Sequence, residues 1–272
     1  MSENNESLLN VINKSGFLFQ ARLEKEIKSA RPGNWEPIAH EHRWVDPFDG
    51  KEGFIDLILE YGIDRIVIEC KKTTDATWIF LIPENQGDTN RARLLWTFEG
   101  IIPGGTFRKK TSEWYDFATN AISLEALFCI VRGQGENDSP MLERLSSSLL
   151  RSIESLASEE LEYAPKPSGS IHVYWPVIIT NTRLFICRYD PDKIDISTGH
   201  LSDASFDEIP SIRFRKNLSS SVQAKQYSEL GQANLDYERT VFVVNSNHIL
   251  TVLGQMKILN DIRMPVPWQG LL

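Results

Sequence analysis

The spacing of apolar positions changes several times along the chain, and each change marks an element. Over residues 13–30, Phe17, Leu18, Ala21, Glu24, Ile27 and Lys28 fall near one helical face, with Leu23 beside it. Ser15 is the expected N-cap, and Arg31-Pro32-Gly33 ends the helix with two breakers in succession. Residues 35–45 alternate as a strand does, and Asp46-Pro47-Phe48-Asp49-Gly50 reads as a turn. Residues 54–60 and 65–71 are rich in Ile, Val and Leu around Tyr61-Gly62-Ile63-Asp64. This predicts a β-hairpin whose tight turn uses the freedom of Gly62. Residues 78–82 form a further short strand, stopped by Pro83.

The pattern then weakens. Residues 84–111 are polar and Gly/Pro-containing, and read as loops over the core. Residues 113–131 and 141–158 read as helices, separated by a loop at 133–140. After a break at 165–169, strands are expected at 171–180 and 183–189, around Asn181-Thr182. A less regular stretch runs to Gln223, followed by a strand at 240–244 and a helix over roughly 247–260. The order predicts an α/β protein with a mixed β-sheet flanked by helices. Residues 1–190 are the expected core, with a loop-rich insertion near 84–111. Residues 191–272 are the expected C-terminal extension, packed on that core.

The hairpin carries the chemistry. With Gly62 and Ile63 as its central pair, Glu60 faces Arg65, Ile58 faces Val67, Asp56 faces Glu69 and Phe54 faces Lys71. These residues share one side, because a strand alternates its faces. Ile55, Leu57 and Leu59 oppose Ile66, Ile68 and Cys70 on the other side, an apolar floor. Glu60 with Arg65 is a favourable ion pair. Asp56 against Glu69 costs about 0.2–1 kcal/mol in the open and more when buried. A divalent cation would relieve it, and Mg²⁺ takes oxygen ligands, often one or two carboxylates. Lys71 points to the same side and could orient a water or stabilise phosphorane charge. The Cys70 carbonyl is a further ligand candidate. The alternative is a solvated sheet face on which Lys71 neutralises the two acids.

Asp56, the short hairpin and Glu69-Cys70-Lys71 resemble the D…(D/E)xK signature of the PD-(D/E)xK nuclease superfamily. The resemblance covers roughly residues 13–189, with sharp motifs only in 53–71. It implies a restriction-endonuclease-like fold: a first helix, three strands, a helix and a further strand. It implies metal carboxylates at Asp56 and Glu69, a catalytic lysine at Lys71, and Mg²⁺ with Mn²⁺ as a substitute. It also implies endonuclease action, most readily on DNA, in a restriction, phage-defence or repair setting, with a homodimer as one way to cut both strands. Residues 16–23, GFLFQARL, resemble the G-x-x-F-E-x-x-V pattern of some members. Gln20 stands where that pattern has glutamate, and Glu24, one turn later, could substitute. Loss of that charge leaves a second reading: a catalytically weakened module that binds nucleic acid or a partner protein.

Composition adds limits. The chain has 272 residues, 41% hydrophobic, enough for a sizeable core. Its apolar runs are too short to span a bilayer, and its polar, acidic start lacks a secretory pattern, so a cytoplasmic, membrane-free protein is expected. Cys70, Cys129 and Cys187 are scattered and odd in number, which favours buried thiols over a disulfide framework. A net charge of -8 argues against coating nucleic acid by bulk charge but leaves room for a local basic groove. Lys72, Arg108-Lys109-Lys110 and the cluster Arg213, Arg215, Lys216 are the candidates for phosphate contacts, each equally readable as solvated surface. Arg91 and Arg93 are further basic positions. His40 and His42 alternate on their strand and could face one side as a metal pair, though no third ligand is evident. Trp78 and Phe80 read as core in preference to base-stacking groups.

Overall fold

The computed structural model describes residues 3–47, 49–73, 76–101, 108–133, 140–163, 170–218 and 230–259. Helices α1 (Glu3–Lys14) and α2 (Phe17–Ala30) precede β1 (Glu36–Val45), β2 (Glu52–Tyr61), β3 (Asp64–Lys71) and β4 (Thr77–Pro83). Next come β5 (Thr89–Ile101), β6 (Arg108–Ser123), β7 (Glu125–Ala126) and β8 (Phe128–Val131). Helix α3 (Met141–Tyr163) leads into β9 (Ser170–Thr180), β10 (Arg183–Tyr189), β11 (Ser205–Ile209) and β12 (Ser211–Asn217). The described chain ends with α4 (Leu230–Tyr237), β13 (Glu238–Asn245) and α5 (Ile249–Gln255).

The result is a mixed α/β architecture dominated by strands. A nine-stranded sheet runs β1-β2-β3-β9-β13-β12-β7, and β5 with β6 branches from β9. Strands β1, β2 and β3 are antiparallel neighbours, whereas β9 lies parallel to both β3 and β13. A second sheet runs β11-β10-β4-β8. One face of the main sheet, with Ile58, Val67 and Ile178, packs on α3 and on Trp78, Phe80 and Ile186 of the second sheet. The other face, with Leu57, Leu59, Ile66 and Ile68, packs on Leu23 and Ile27 of α2 and on Val252 and Leu253 of α5. Burial on both faces explains why β3 carries the unbroken run Ile66-Val67-Ile68.

Several expectations need correction. Residues 113–131 are not a helix but the strands β6, β7 and β8. Phe117, Thr119 and Ala121 are buried while Asn120 and Ile122 are exposed, a period of two. Residues 84–111 are not mainly loop. They hold β5, whose Leu94, Trp96 and Phe98 are buried and whose pairing with distant β9 no local pattern reveals. The first helix is broken at Ser15-Gly16, so α1 and α2 are separate. Gly16 takes the N-cap position of α2, and the Ser15 hydroxyl instead donates to the Ile12 carbonyl at 2.7 Å. The last helix shortens to α5 after a 3₁₀ turn, Ser246–His248. Residues 134–139 of the expected loop at 133–140, the expected break at 165–169, residues 219–229, Phe48 and Asn260 lie outside the described residues. Among the described residues no helix is long and apolar enough to cross a membrane.

Candidate active site

The hairpin keeps the expected register from Tyr61↔Asp64 to Leu57↔Ile68, and Arg65 meets Glu60 at 2.7 Å. The β2–β3 pairing stops one step before Asp56. There the Asp56 Oδ2 accepts the backbone N–H of Cys70 at 2.6 Å, so the carboxylate takes the place a backbone carbonyl has in the ladder. Face alternation also breaks here. Leu57 and Leu59 belong to one core, but Ile55 joins Ile58 in the other, not the shared floor expected from the pattern.

Strand β1 breaks at the same level. His40 pairs with Leu57 and His42 with Ile55, which brackets Glu41 opposite Asp56. Glu41 has φ 49°, a left-handed conformation rare for a residue with a Cβ. His40 therefore lies near Glu24 of α2 (Nδ1 to Oε1 3.7 Å), and His42 meets Glu159 of α3 at 2.9 Å. The two histidines face opposite layers and form no metal pair.

Helix α2 completes the group. The Gln20 amide donates to Glu41 Oε1 at 2.7 Å and to the Asp56 carbonyl at 2.9 Å. Glu24 lies 3.7 Å from His40 and takes no part in these contacts. The structure thus brings Gln20, Glu41, Asp56, Glu69 and Lys71 together. Glu41 was not expected from the sequence. The signal that could have found it is the β1–β2 register, which sets an acid directly opposite Asp56.

The electrostatics are those of crowded acids. Burial, then the charges of Asp56 and Glu41, push the Glu69 carboxyl from its ordinary 4.5 up to about 7, against the pull of Lys71. Burial and the Glu41 charge also raise Asp56, opposed by the Cys70 N–H. Burial, then Asp56 and Glu69, push the Cys70 thiol well above its usual range, so it remains a neutral thiol. Glu69 and Lys71 make no hydrogen bond or ion pair among the described residues, although the lysine charge acts on the acid. A desolvated carboxylate without a donor suits a cation. Asp56 and Glu69 offer oxygen ligands, and the Cys70 carbonyl points to the same strand edge as its N–H. Among the described residues no three His, Cys, Asp or Glu side chains are arranged to hold an ion by themselves. Two carboxylates of this kind could serve an ion such as Mg²⁺, which often takes only one or two protein carboxylates beside water.

The group sits at the carboxyl end of β3, where Lys71 lies beside Thr180 of β9 and Thr180 beside Asn245 of β13. Carboxyl ends of parallel strands in open α/β sheets are where ligands bind.

The basic candidates fare differently. Lys72 donates to the Asn13 carbonyl at the end of α1. Lys110 lies 3.7 Å from Glu99 and donates to the Leu161 carbonyl; the side chains of Arg108 and Lys109 lie outside the described residues. Arg213 is fully buried, with its guanidinium on Ser123, Thr119 and the Ala121 carbonyl, and burial lowers it to about 10. Arg215 is bound by Glu238 at 2.8 Å and Asp116 at 3.3 Å, and Lys216 by Glu143 at 2.7 Å. The 213–216 cluster is therefore internal pairing and not a phosphate-binding surface. Arg93 meets Asp236 at 3.0 Å, and Arg91 donates to the Asp116 carbonyl. Trp78 and Phe80 are core.

No protein-family model, characterised protein or solved structure matches the chain.

Proposed function

We propose that this chain is a metal-dependent phosphodiesterase with a restriction-endonuclease-like core, acting on nucleic acid and most readily on DNA. One observation carries the reading. Asp56, Glu69 and Lys71 meet where the hairpin ladder opens, and Glu69 is desolvated beside two other acids without a hydrogen-bond donor. Nothing in the packing asks for such a group, whereas a cation would relieve it. The succession α2, β1, β2, β3, with α3 and a β9 parallel to β3 following only after the five strands β4 to β8, is compatible with the core order that the sequence resemblance implies if those strands are an insertion.

Asp56 and Glu69 would hold the ion, with the Cys70 carbonyl beside them. A divalent ion there supplies positive charge against the phosphate and lowers the pKa of water. Lys71 meets the charge that develops on the non-bridging phosphate oxygens. The Cys70 N–H fixes the Asp56 carboxylate, so one of its oxygens is already oriented.

The test is cleavage of plasmid, single-stranded DNA and RNA with Mg²⁺, Mn²⁺ or EDTA, with Asp56→Asn and Lys71→Ala in parallel. Metal-dependent cutting lost in both variants is the expected result. A folded protein that cuts nothing, or variants that cut like the parent, would sink the reading. The uncharged Gln20 on α2 and the internal pairing of Arg213, Arg215 and Lys216 favour a second reading, a binding module without catalysis. That reading predicts binding of nucleic acid or a partner protein with no cutting.

A further inference from the structure

We infer that Glu41 accepts the proton of the attacking water through its Oε2, and that Gln20 is the positioning residue that holds it there. The inference rests on the hydrolytic reading above. Glu41 lies in an edge strand, opposite Asp56, with φ 49°. That conformation is disfavoured for a side chain with a Cβ, and persists only where its surroundings fix it. Here the fixing group is Gln20. The Gln20 amide has two hydrogens, and one meets Glu41 Oε1 while the other meets the Asp56 carbonyl. A single amide therefore clamps the side chain of one acid to the backbone of the other.

Elimination among the neighbours assigns the role. The Lys71 ammonium has donors and no lone pair. Asp56 is committed to the Cys70 N–H and, with Glu69, to the ion. His40 and His42 are paired with Glu24 and Glu159 in opposite layers. Glu24 is turned to His40. Glu41 keeps Oε2, which has no partner among the described residues, and the residue is exposed, so water reaches it. The step balances simply. The water oxygen bonds to phosphorus and the phosphorus–oxygen bond to the leaving group breaks. Glu41 Oε2 receives the water proton, and the leaving oxygen takes a proton from solvent.

The backbone supplies a clean variant. Glycine accepts φ 49° without steric strain, so Glu41→Gly removes the carboxylate without forcing the strand backbone. Cleavage by E41G and E41Q should fall by about 10²–10⁴-fold, the usual worth of a general base. Formate added to E41G should restore part of the rate, and the E41G Tm should not drop. Mn²⁺ affinity by calorimetry should stay near that of the parent in E41G and be lost in Asp56→Asn. Gln20→Ala should lower the rate without lowering Mn²⁺ affinity. If E41G cuts like the parent while Asp56→Asn is dead, Glu41 has no such role and the hydrolytic reading stands. An inactive E41G that formate cannot rescue, or that loses Mn²⁺ as Asp56→Asn does, also overturns the assignment. A parent that cuts nothing overturns both.

Discussion

The carboxylate of Asp56 occupies the hydrogen-bonding place of a backbone carbonyl, accepting the Cys70 N–H at 2.6 Å across the gap where β2 and β3 part. The same side chain is thus structural and a ligand candidate, and two substitutions separate the roles. Asparagine keeps an oxygen for the Cys70 N–H but removes the charge. Alanine leaves that N–H without an acceptor, at a cost of about 1–3 kcal/mol. Both variants should fail to cleave, and Asp56→Ala should unfold at lower denaturant than Asp56→Asn. Equal unfolding midpoints would mean that the bond contributes nothing to stability.

The hairpin was legible because its register follows from one glycine turn and a run of β-branched residues, and Glu60 with Arg65 meets as that register requires. The local inversion was not legible. A period-two reading carries its alternation through Asp56, whereas β1 and β2 both change faces at Glu41 and Asp56, so Ile55 and the two histidines lie on sides that simple alternation does not predict. Strands β5 and β6 are hidden in the sequence for another reason. Their stability comes from each other and from β9, some 75 residues beyond β5, and local periodicity carries no trace of that pairing. The basic cluster at 213–216 shows the limit of charge counting. Its guanidinium groups look like a phosphate patch in sequence, but each has its acids or carbonyls in the fold.

Arg213 should accordingly matter to stability and not to nucleic acid. Its guanidinium holds Ser123 and Thr119 side chains and the Ala121 carbonyl, joining β12 to the end of β6. Arg213→Met should cost about 1–3 kcal/mol as these partners lose a buried donor. Denaturant unfolding measures this directly. Affinity for DNA should be unchanged once the variant is compared under folding conditions, and a selective loss of binding would show that the residue does reach the ligand.

Helix α1 should be separable from the fold. Its side chains from Asn5 to Lys14 are all exposed, and Lys72 donates to the Asn13 carbonyl. Leu8, Leu9, Val11 and Ile12 lie in the open and bury little area of their own domain. Deleting residues 1–14 should therefore shift the unfolding midpoint little, since a short helix gains its stability from packing it lacks here. A large loss of Tm would mean that α1 is a part of the core.

The pH dependence of stability follows from Glu69. Its folded pKa is about 7 against an ordinary 4.5 in an open chain, so between those values the folded state holds a proton that the unfolded state has released. Unfolding free energy therefore falls as pH rises through that window. Below the ordinary value both states are protonated and nothing is lost. Above about pH 7 the full cost applies, roughly 3–4 kcal/mol at about 1.4 kcal/mol for each pKa unit. Glu69→Gln removes this titration. The variant should be more stable than the parent at about pH 8, with the difference shrinking toward about pH 4.5. Asp64, pushed by burial to about 6 despite the indole N–H of Trp175, titrates in both proteins and cancels from the comparison. Mg²⁺ should raise the parent Tm at the higher pH, because a ligand that binds the folded state stabilises it, and should leave Glu69→Gln unmoved. Parallel stability curves for the two proteins across this range would show that Glu69 is not desolvated, and would remove the electrostatic ground for placing a cation beside it.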